Sequence, residues 1–373
     1  GYVLISFLSW LILRFLVLRR LPCGRPARTV LSCLFFLPIL YYAYLQASCF
    51  IVLPEPSFGT AILMGAWCGT VLIAAPPASA GVLCLMRFGR KKSMRRVGAG
   101  ACLIFSLFFS SVLVLCGLRE GLSVPSVQEV SVNLPAGCDA LDGIRMAVIS
   151  DLHLGCATPP GWLEETLRRI KEARADIILL DGDLSDGRPE DRRSDLARLG
   201  TLEAPFGVWA VPGNHEYYVD YAGIMAALPD SVHVLANSHA RLRTSLGTFV
   251  LAGVTDRKAR ARGLPGPDIE KALSGLSGDG AIGPVLLMSH RPAGWSRNAA
   301  RGVVLQICGH THGGQFIWNR LFLRLIGRRY LHGLFERNSS LLWVGSGASQ
   351  WFGFPLRVGV PPEIAVLNLH AGS

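Results

Sequence analysis

The chain has 373 residues, 50% of them hydrophobic, and a formal charge of +11. That charge is lopsided: residues 1–123 carry 12 Lys/Arg against 2 Asp/Glu, whereas residues 124–373 carry 25 against 24. A basic, apolar first third followed by a nearly neutral remainder argues against a nucleic-acid groove and is the pattern of membrane topology, where basic loops separate hydrophobic spans.

Four stretches lie near the roughly 20 residues needed to cross a bilayer. They are 2–18, 30–53, 61–85 and 97–118, and they predict a transmembrane region of about four helices over residues 1–123. The first is short and holds Arg14. A signal peptide is the rival reading for it, but no small-residue cleavage site follows. The chain opens on Gly1, which leaves room for an upstream segment. Arg19, Arg20, Arg25 and Arg28 fill the first connection, and Arg87, Arg90, Lys91, Lys92, Arg95 and Arg96 fill the third. The second holds only Glu55. Basic loops face the cytoplasm. The expectation is a multipass protein of the cell membrane whose later residues form an extracytoplasmic domain. Of the 10 cysteines, Cys138, Cys156 and Cys308 lie beyond the apolar third. They include no CxxC pair and indicate neither a disulfide framework nor a zinc knuckle.

Ser123, Val124, Pro125 and Ser126 read as a linker into a globular domain over residues 124–373. Short β-branched runs predict strands at 144–150, 176–180, 207–211, 248–254, 284–288, 303–307, 341–344 and 364–369. Amphipathic spacing predicts helices at 161–174, 191–199 and 221–228. Strand–helix alternation that gives way to successive strands implies a layered α/β fold in place of a simple doubly wound sheet.

Five polar clusters each follow a predicted strand, where loops at the carboxyl edge of an α/β sheet converge on ligands. They are Asp151 with His153; Gly182, Asp183 and Asp186; Gly213, Asn214, His215 and Glu216; His290; and His310 with His312 in GHTHGG. Taken singly, each histidine suits a structural role. Together, carboxylates, a carboxamide and imidazoles without thiolates suit a pair of divalent metals. Asp186 also fits a turn cap, and Arg291, next to His290, is a candidate phosphate contact. Asp256 reads as a turn residue. His233, His239, His332 and His370 fall outside the clusters.

These motifs, in this order, resemble the calcineurin-like metallophosphoesterases. The resemblance covers about 151–314 and extends through VGSG at 344–347 and PLRVGVPPEI at 355–364. That extension points to the membrane-anchored bacterial phosphodiesterase branch, related to UDP-2,3-diacylglucosamine hydrolases. It implies a four-layer α/β/β/α sandwich behind the transmembrane helices. It implies one metal on Asp151, His153 and His312, a second on Asn214, His290 and His310, and Asp183 between them. A hydroxide held by the ions would attack phosphorus, with His215 serving the leaving oxygen and Asp186 and Glu216 orienting imidazoles. The ions would be manganese, with iron or zinc as alternatives. The substrate would be a phosphodiester or pyrophosphate, lipid-linked or amphiphilic, with membrane lipid as a partner and no nucleic acid. Two alternatives stand beside it. One is the UDP-2,3-diacylglucosamine pyrophosphatase reaction of lipid A synthesis, which requires the cytoplasmic leaflet. The other is a non-catalytic membrane sensor.

The stretch 316–330 (FIWNRLFLRLIGRRY) puts Arg320, Arg324 and Arg328 along one helical face, with Trp318, Leu321, Phe322 and Leu325 elsewhere. It reads either as an interfacial helix guiding an amphiphilic substrate or as a core-packed helix.

Overall fold

The computed structural model describes residues 2–47, 55–89, 91–276, 283–337, 339–350 and 354–372. The chain divides into two compact units, Gly1–Glu120 with Gly353–Leu356, and Gly121–Phe352 with Arg357–Ser373. Its first helices are α1 (Tyr2–Ile12), α2 (Arg25–Ala47), α3 (Phe58–Phe88) and α4 (Lys92–Gly121). Three of these, α2 over Arg25–Leu45, α3 and α4, are long and apolar enough to cross a membrane. The first expected span is not. Its 11-residue α-helix passes into a π-helical turn, Leu13–Val17, and then a 3-10 turn, Leu18–Arg20. Arg14 sits in that π-helical turn, over the Trp10 ring at 5.2 Å and 3.4 Å from the Ser32 hydroxyl, so its charge is held by protein groups. The helical core joins Leu13, Val17 and Leu18 to Val71, Ala75, Ala78 and Val82 of α3. The end of the second expected span, 48–53, and Arg90 lie outside the described residues.

The second unit continues with β1 (Ser126–Ala136), β2 (Arg145–Ile149), α5 (Trp162–Glu172), β3 (Ile177–Asp181) and α6 (Pro189–Arg198). Next come β4 (Val208–Val211), α7 (Tyr221–Ala226), β5 (Val232–Val234), β6 (Ser238–Thr244), β7 (Gly247–Gly253) and α8 (Ile269–Ala272). Then follow β8 (Val285–Met288), α9 (Trp295–Ala299), β9 (Val303–Cys308), α10 (Ile317–Leu325), β10 (Gly333–Arg337), β11 (Ser340–Val344) and β12 (Glu363–Gly372). The strands form two six-stranded sheets, ordered β1-β12-β2-β3-β4-β5 and β10-β11-β9-β8-β7-β6.

Alternation along each strand builds the layers. Met146, Val148 and Leu179 of the first sheet meet Leu251, Leu286 and Ile307 of the second in one core. Their neighbours Ala147, Ile149, Ile178 and Leu180 face outward onto Leu163, Leu167, Leu196 and Ile224 of α5, α6 and α7. On the far side, Val250, Ala252 and Leu287 pack with Ala272 of α8. The result is helices, sheet, sheet, helices. Central strands covered on both faces read as unbroken apolar runs. The parallel pairs β2–β3, β3–β4, β7–β8, β8–β9 and β9–β11 leave their carboxyl ends at the polar clusters.

Two local expectations change. Ser126 opens a paired strand in place of a linker, matching Glu363 of β12. The helix expected to run to Tyr330 stops at Leu325. There Gly327, at φ +87°, donates to the Arg324 carbonyl and Arg328 donates to the Leu323 carbonyl, a glycine-dependent helix stop. Arg328 therefore leaves the helix and does not extend the Arg320–Arg324 face.

Candidate metal centre

The clusters converge from loops of both sheets. Asp151, His153 and His312 bring one ligand atom each to within 4.8 Å of one another, and so do Asp183, His290 and His310. His312 Nε2 lies 3.2 Å from Asp151 Oδ1 and 3.2 Å from His153 Nε2. Asp183 Oδ2 lies 3.1 Å from His290 Nε2 and 3.8 Å from His153 Nε2, so it stands between the two groups. Asn214 joins the second group through Arg291, whose guanidinium donates to Asn214 Oδ1 at 2.6 Å and also touches His310 Nε2.

Backbone strain accompanies this gathering. Asp151, His153, Asp183, His310 and His312 all adopt positive φ, between 42° and 67°. Non-glycine residues enter that region at a cost of order 1–3 kcal/mol each, and they do so where function requires an odd projection. Adjacent glycines give the space. A Cβ on Gly213 would overlap the Asp183 carboxylate, and one on Gly309 would overlap that of Asp151.

The imidazole tautomers follow from the partners. His153 Nδ1 faces Asp186 Oδ1 at 3.2 Å, His290 Nδ1 faces the Asp181 carbonyl at 2.7 Å, and His312 Nδ1 faces the Ser349 carbonyl at 3.2 Å. For His153 and His290 the acceptor favours the proton on Nδ1 and turns the Nε2 lone pair inward, the arrangement that outer hydrogen bonds give to metal-ligating histidines. His312 Nδ1 also faces the Arg357 guanidinium at 3.4 Å, while its Nε2 points inward at Asp151. His290 Nε2 is buried and finds no hydrogen-bond partner among the described residues, although Asp183 Oδ2 is near. An orphaned lone pair among converging lone pairs fits a divalent cation.

Electrostatics agree. Burial pushes the carboxyls of Asp151, Asp183 and Asp186 up, but the imidazoles around them outweigh it and hold all three below the usual range. Burial pushes His153 down, yet Asp186, Asp183 and Asp151 raise it to about 9. His290 is likewise raised against burial, by Asp183, Asp151 and Asp181. Burial, with His290 and Arg291 beside it, pushes His310 down, and burial also pushes His312 down. Cations at this place would displace protons from His153 and His290.

The surrounding residues divide by what they hold. Asp186 takes two imidazoles at once, His153 and His215, the latter at 2.5 Å from its Nδ1. Glu216 does not orient an imidazole. Its carboxylate accepts from the backbone N–H of Asp183, Leu184 and Gly213, tying the two ligand loops together. Arg291 meets Asp256, Asn214 and His310. Outside the centre, His239 bonds the Ala272 carbonyl and His332 bonds Glu363. Sequence reasoning missed Arg357, fully buried and donating to the Ser346, Gly347 and Ser349 carbonyls behind His312. Asp256 is the turn residue that the sequence suggested, its buried side chain capping the following turn, and it also anchors Arg291, which the sequence did not suggest.

Comparison with known proteins places the same residues in a family context. Residues 144–314 match the family model described as calcineurin-like phosphoesterase. The chain is 34% identical over 257 residues to an "Uncharacterized metallophosphoesterase" of Helicobacter pylori (strain ATCC 700392 / 26695), covering 68% of this chain and 66% of that protein. It is 28% identical over 302 residues to a "Transmembrane protein with metallophosphoesterase domain" of Danio rerio, covering 77% and 68%. It is 29% identical over 240 residues to the "Uncharacterized metallophosphoesterase YkuE" of Bacillus subtilis (strain 168), covering 62% and 80%.

Proposed function

Residues 144–314 belong to a calcineurin-like metallophosphoesterase domain, and from that premise we propose that the chain is a membrane-anchored phosphoesterase. It hydrolyses a phosphodiester or pyrophosphate bond in a lipid-linked or amphiphilic substrate, with two divalent cations held by Asp151, His153, Asp183, Asn214, His290, His310 and His312. The observation that carries the reading is the inward Nε2 of His153, His290 and His312 around two buried carboxylates. Such cations lower the pKa of water and neutralise phosphoryl oxygens. Among the chain's own residues, His215 is held by Asp186 with its Nε2 3.9 Å from Asp183 Oδ2, and it serves the leaving oxygen as proton donor.

The amphiphilic substrate is supported by α10, which has no buried residue. Among the described residues of the second unit, six of the nine large exposed hydrophobics fall between Ile317 and Ile326. With Arg320 and Arg324 on the same helix, this is the composition of a segment lying in a lipid interface. The basic first and third connections support a catalytic domain outside the cytoplasm. The test of the function is steady-state hydrolysis of bis-p-nitrophenyl phosphate and of a lipid-linked diphosphate diester by the full chain in detergent, with manganese, iron or zinc supplied. Hydrolysis confined to metal-loaded protein is expected; equal hydrolysis by metal-free protein would refute the reading.

A further inference from the structure

Beside the candidate metal centre lies a cavity of about 500 Å³ lined by the ligand His310. Four arginines line it as well, Arg257, Arg291, Arg328 and Arg329, and no carboxylate does. The helix stop at Gly327 brings Arg328 and Arg329 there, and the turn capped by Asp256 brings Arg257. Arg291 is already committed to Asp256, Asn214 and His310. The other three are exposed, and none has a side-chain hydrogen bond or ion pair among the described residues. An adjoining cavity of about 700 Å³ shares Arg257 and Arg291 and is mixed in charge: Asp256, Asp268 and Glu270 line it together with Arg260, Lys271, Arg297 and Arg301, and Glu270 pairs with Arg301.

Guanidiniums crowded around one space repel each other until an anion sits among them. A single phosphodiester carries one negative charge, and the cation pair already faces it. Three unmatched arginines call for another anionic group, and their forked donors suit phosphate oxygens. We infer that this cavity is a subsite for a second phosphoryl group, so that the substrate is a diphosphate diester. One phosphorus lies at the metal centre and its neighbour lies among Arg257, Arg328 and Arg329. The inference rests on the phosphoesterase reading above and narrows it. Leu323, Tyr330 and Leu331 on the same cavity wall accommodate the apolar part of whatever the second phosphate carries.

The reaction balances as a hydrolysis. A water oxygen bonds to the phosphorus at the centre, and the bond from that phosphorus to the bridging oxygen breaks with its electron pair staying on the bridging oxygen. One water proton ends on each of the two phosphate monoesters. Charge grows on the departing phosphate, where the arginines stand ready to hold it.

Calorimetric titration of the full chain in detergent, at fixed metal, with imidodiphosphate and with orthophosphate tests the subsite without turnover. Wild type is expected to bind imidodiphosphate about tenfold or more tighter than orthophosphate, one charge-assisted contact's worth. Arg328→Ala/Arg329→Ala should lose that advantage, while Arg243→Ala, an exposed arginine on β6, should keep it. In kinetics, the same double variant should lower kcat/KM for a diphosphate diester relative to bis-p-nitrophenyl phosphate by about tenfold. A prenyl diphosphate ester in micelles and a soluble nucleoside diphosphate sugar serve as the two diphosphate probes, and the better of them identifies the source. An imidodiphosphate advantage that survives in the double variant, or is absent from wild type, overturns the subsite. Wild type that prefers imidodiphosphate yet hydrolyses no phosphoester overturns the proposed function and leaves the subsite standing.

Discussion

At the scale of single residues, the centre depends on side chains held against their ordinary preferences. Five ligand candidates share a left-handed backbone, and two of the histidines are raised by carboxylates while two are depressed by burial. Much of this was legible because chemistry-bearing residues interrupt apolar runs: Asp151, Asp183, Asn214, His290 and His310 each follow a strand within a few positions. Arg357 and the anchoring role of Asp256 were not legible. An isolated arginine or aspartate in a loop has many uses, and only proximity in space shows that one braces the His312 loop and the other anchors Arg291. The role of His215 is open to direct test. It touches Asp186 and sits beside Asp183; it lies outside the Asp151 and Asp183 ligand groups, and with His153 and Asp186 it forms a third set of closely gathered ligand atoms. His215→Ala is expected to retain its metal by elemental analysis while kcat falls about 100-fold, the typical contribution of a general acid. Full activity in that variant would remove His215 from catalysis; loss of metal would make it a ligand.

At the scale of elements, the sequence patterns divided cleanly. Runs such as MAVI and IILL announced the eight strands inside the two sheets. The four strands they did not announce, β1, β5, β6 and β10, are the edges of those sheets. Edge strands have one pairing partner and more solvent, so charged side chains break their apolar pattern, as Arg241 and Arg243 do in β6. The end of α10 was written in the sequence as Gly327, but the arginine periodicity concealed it. What α10 does follows from its exposure. Leu321 is 55% and Leu325 85% exposed. Leu321→Glu/Leu325→Glu should therefore shift stability by no more than about 0.5 kcal/mol per site, the usual range for surface changes. The same change should cut kcat/KM for a micellar lipid diphosphate relative to a soluble diester, roughly tenfold given the apolar area withdrawn from lipid. An unchanged ratio would remove α10 from substrate delivery.

At the scale of the whole molecule, the division between a basic apolar third and a neutral α/β remainder was visible in composition alone. Hydropathy counted four spans; among the described residues three are helices long and apolar enough to cross a membrane, and the first changes its hydrogen-bonding pattern at Leu13, which an average over a window does not register. The charge distribution over the connections leads to a definite outcome for sidedness: a carboxyl-terminal alkaline phosphatase fusion should be active and a fluorescent-protein fusion dark. The opposite pair would place the domain in the cytoplasm and restore the lipid A reaction as a candidate.

The most direct measurement is a metal titration of the stripped full-length protein, with metal content and hydrolysis followed together in wild type and Asp183→Ala. Activity should rise until about two divalent ions are bound per chain, the number a shared-carboxylate centre holds, and Asp183→Ala should bind fewer and stay inactive. Full hydrolysis before any metal is bound, or an Asp183→Ala protein that loads and turns over like wild type, would contradict the account.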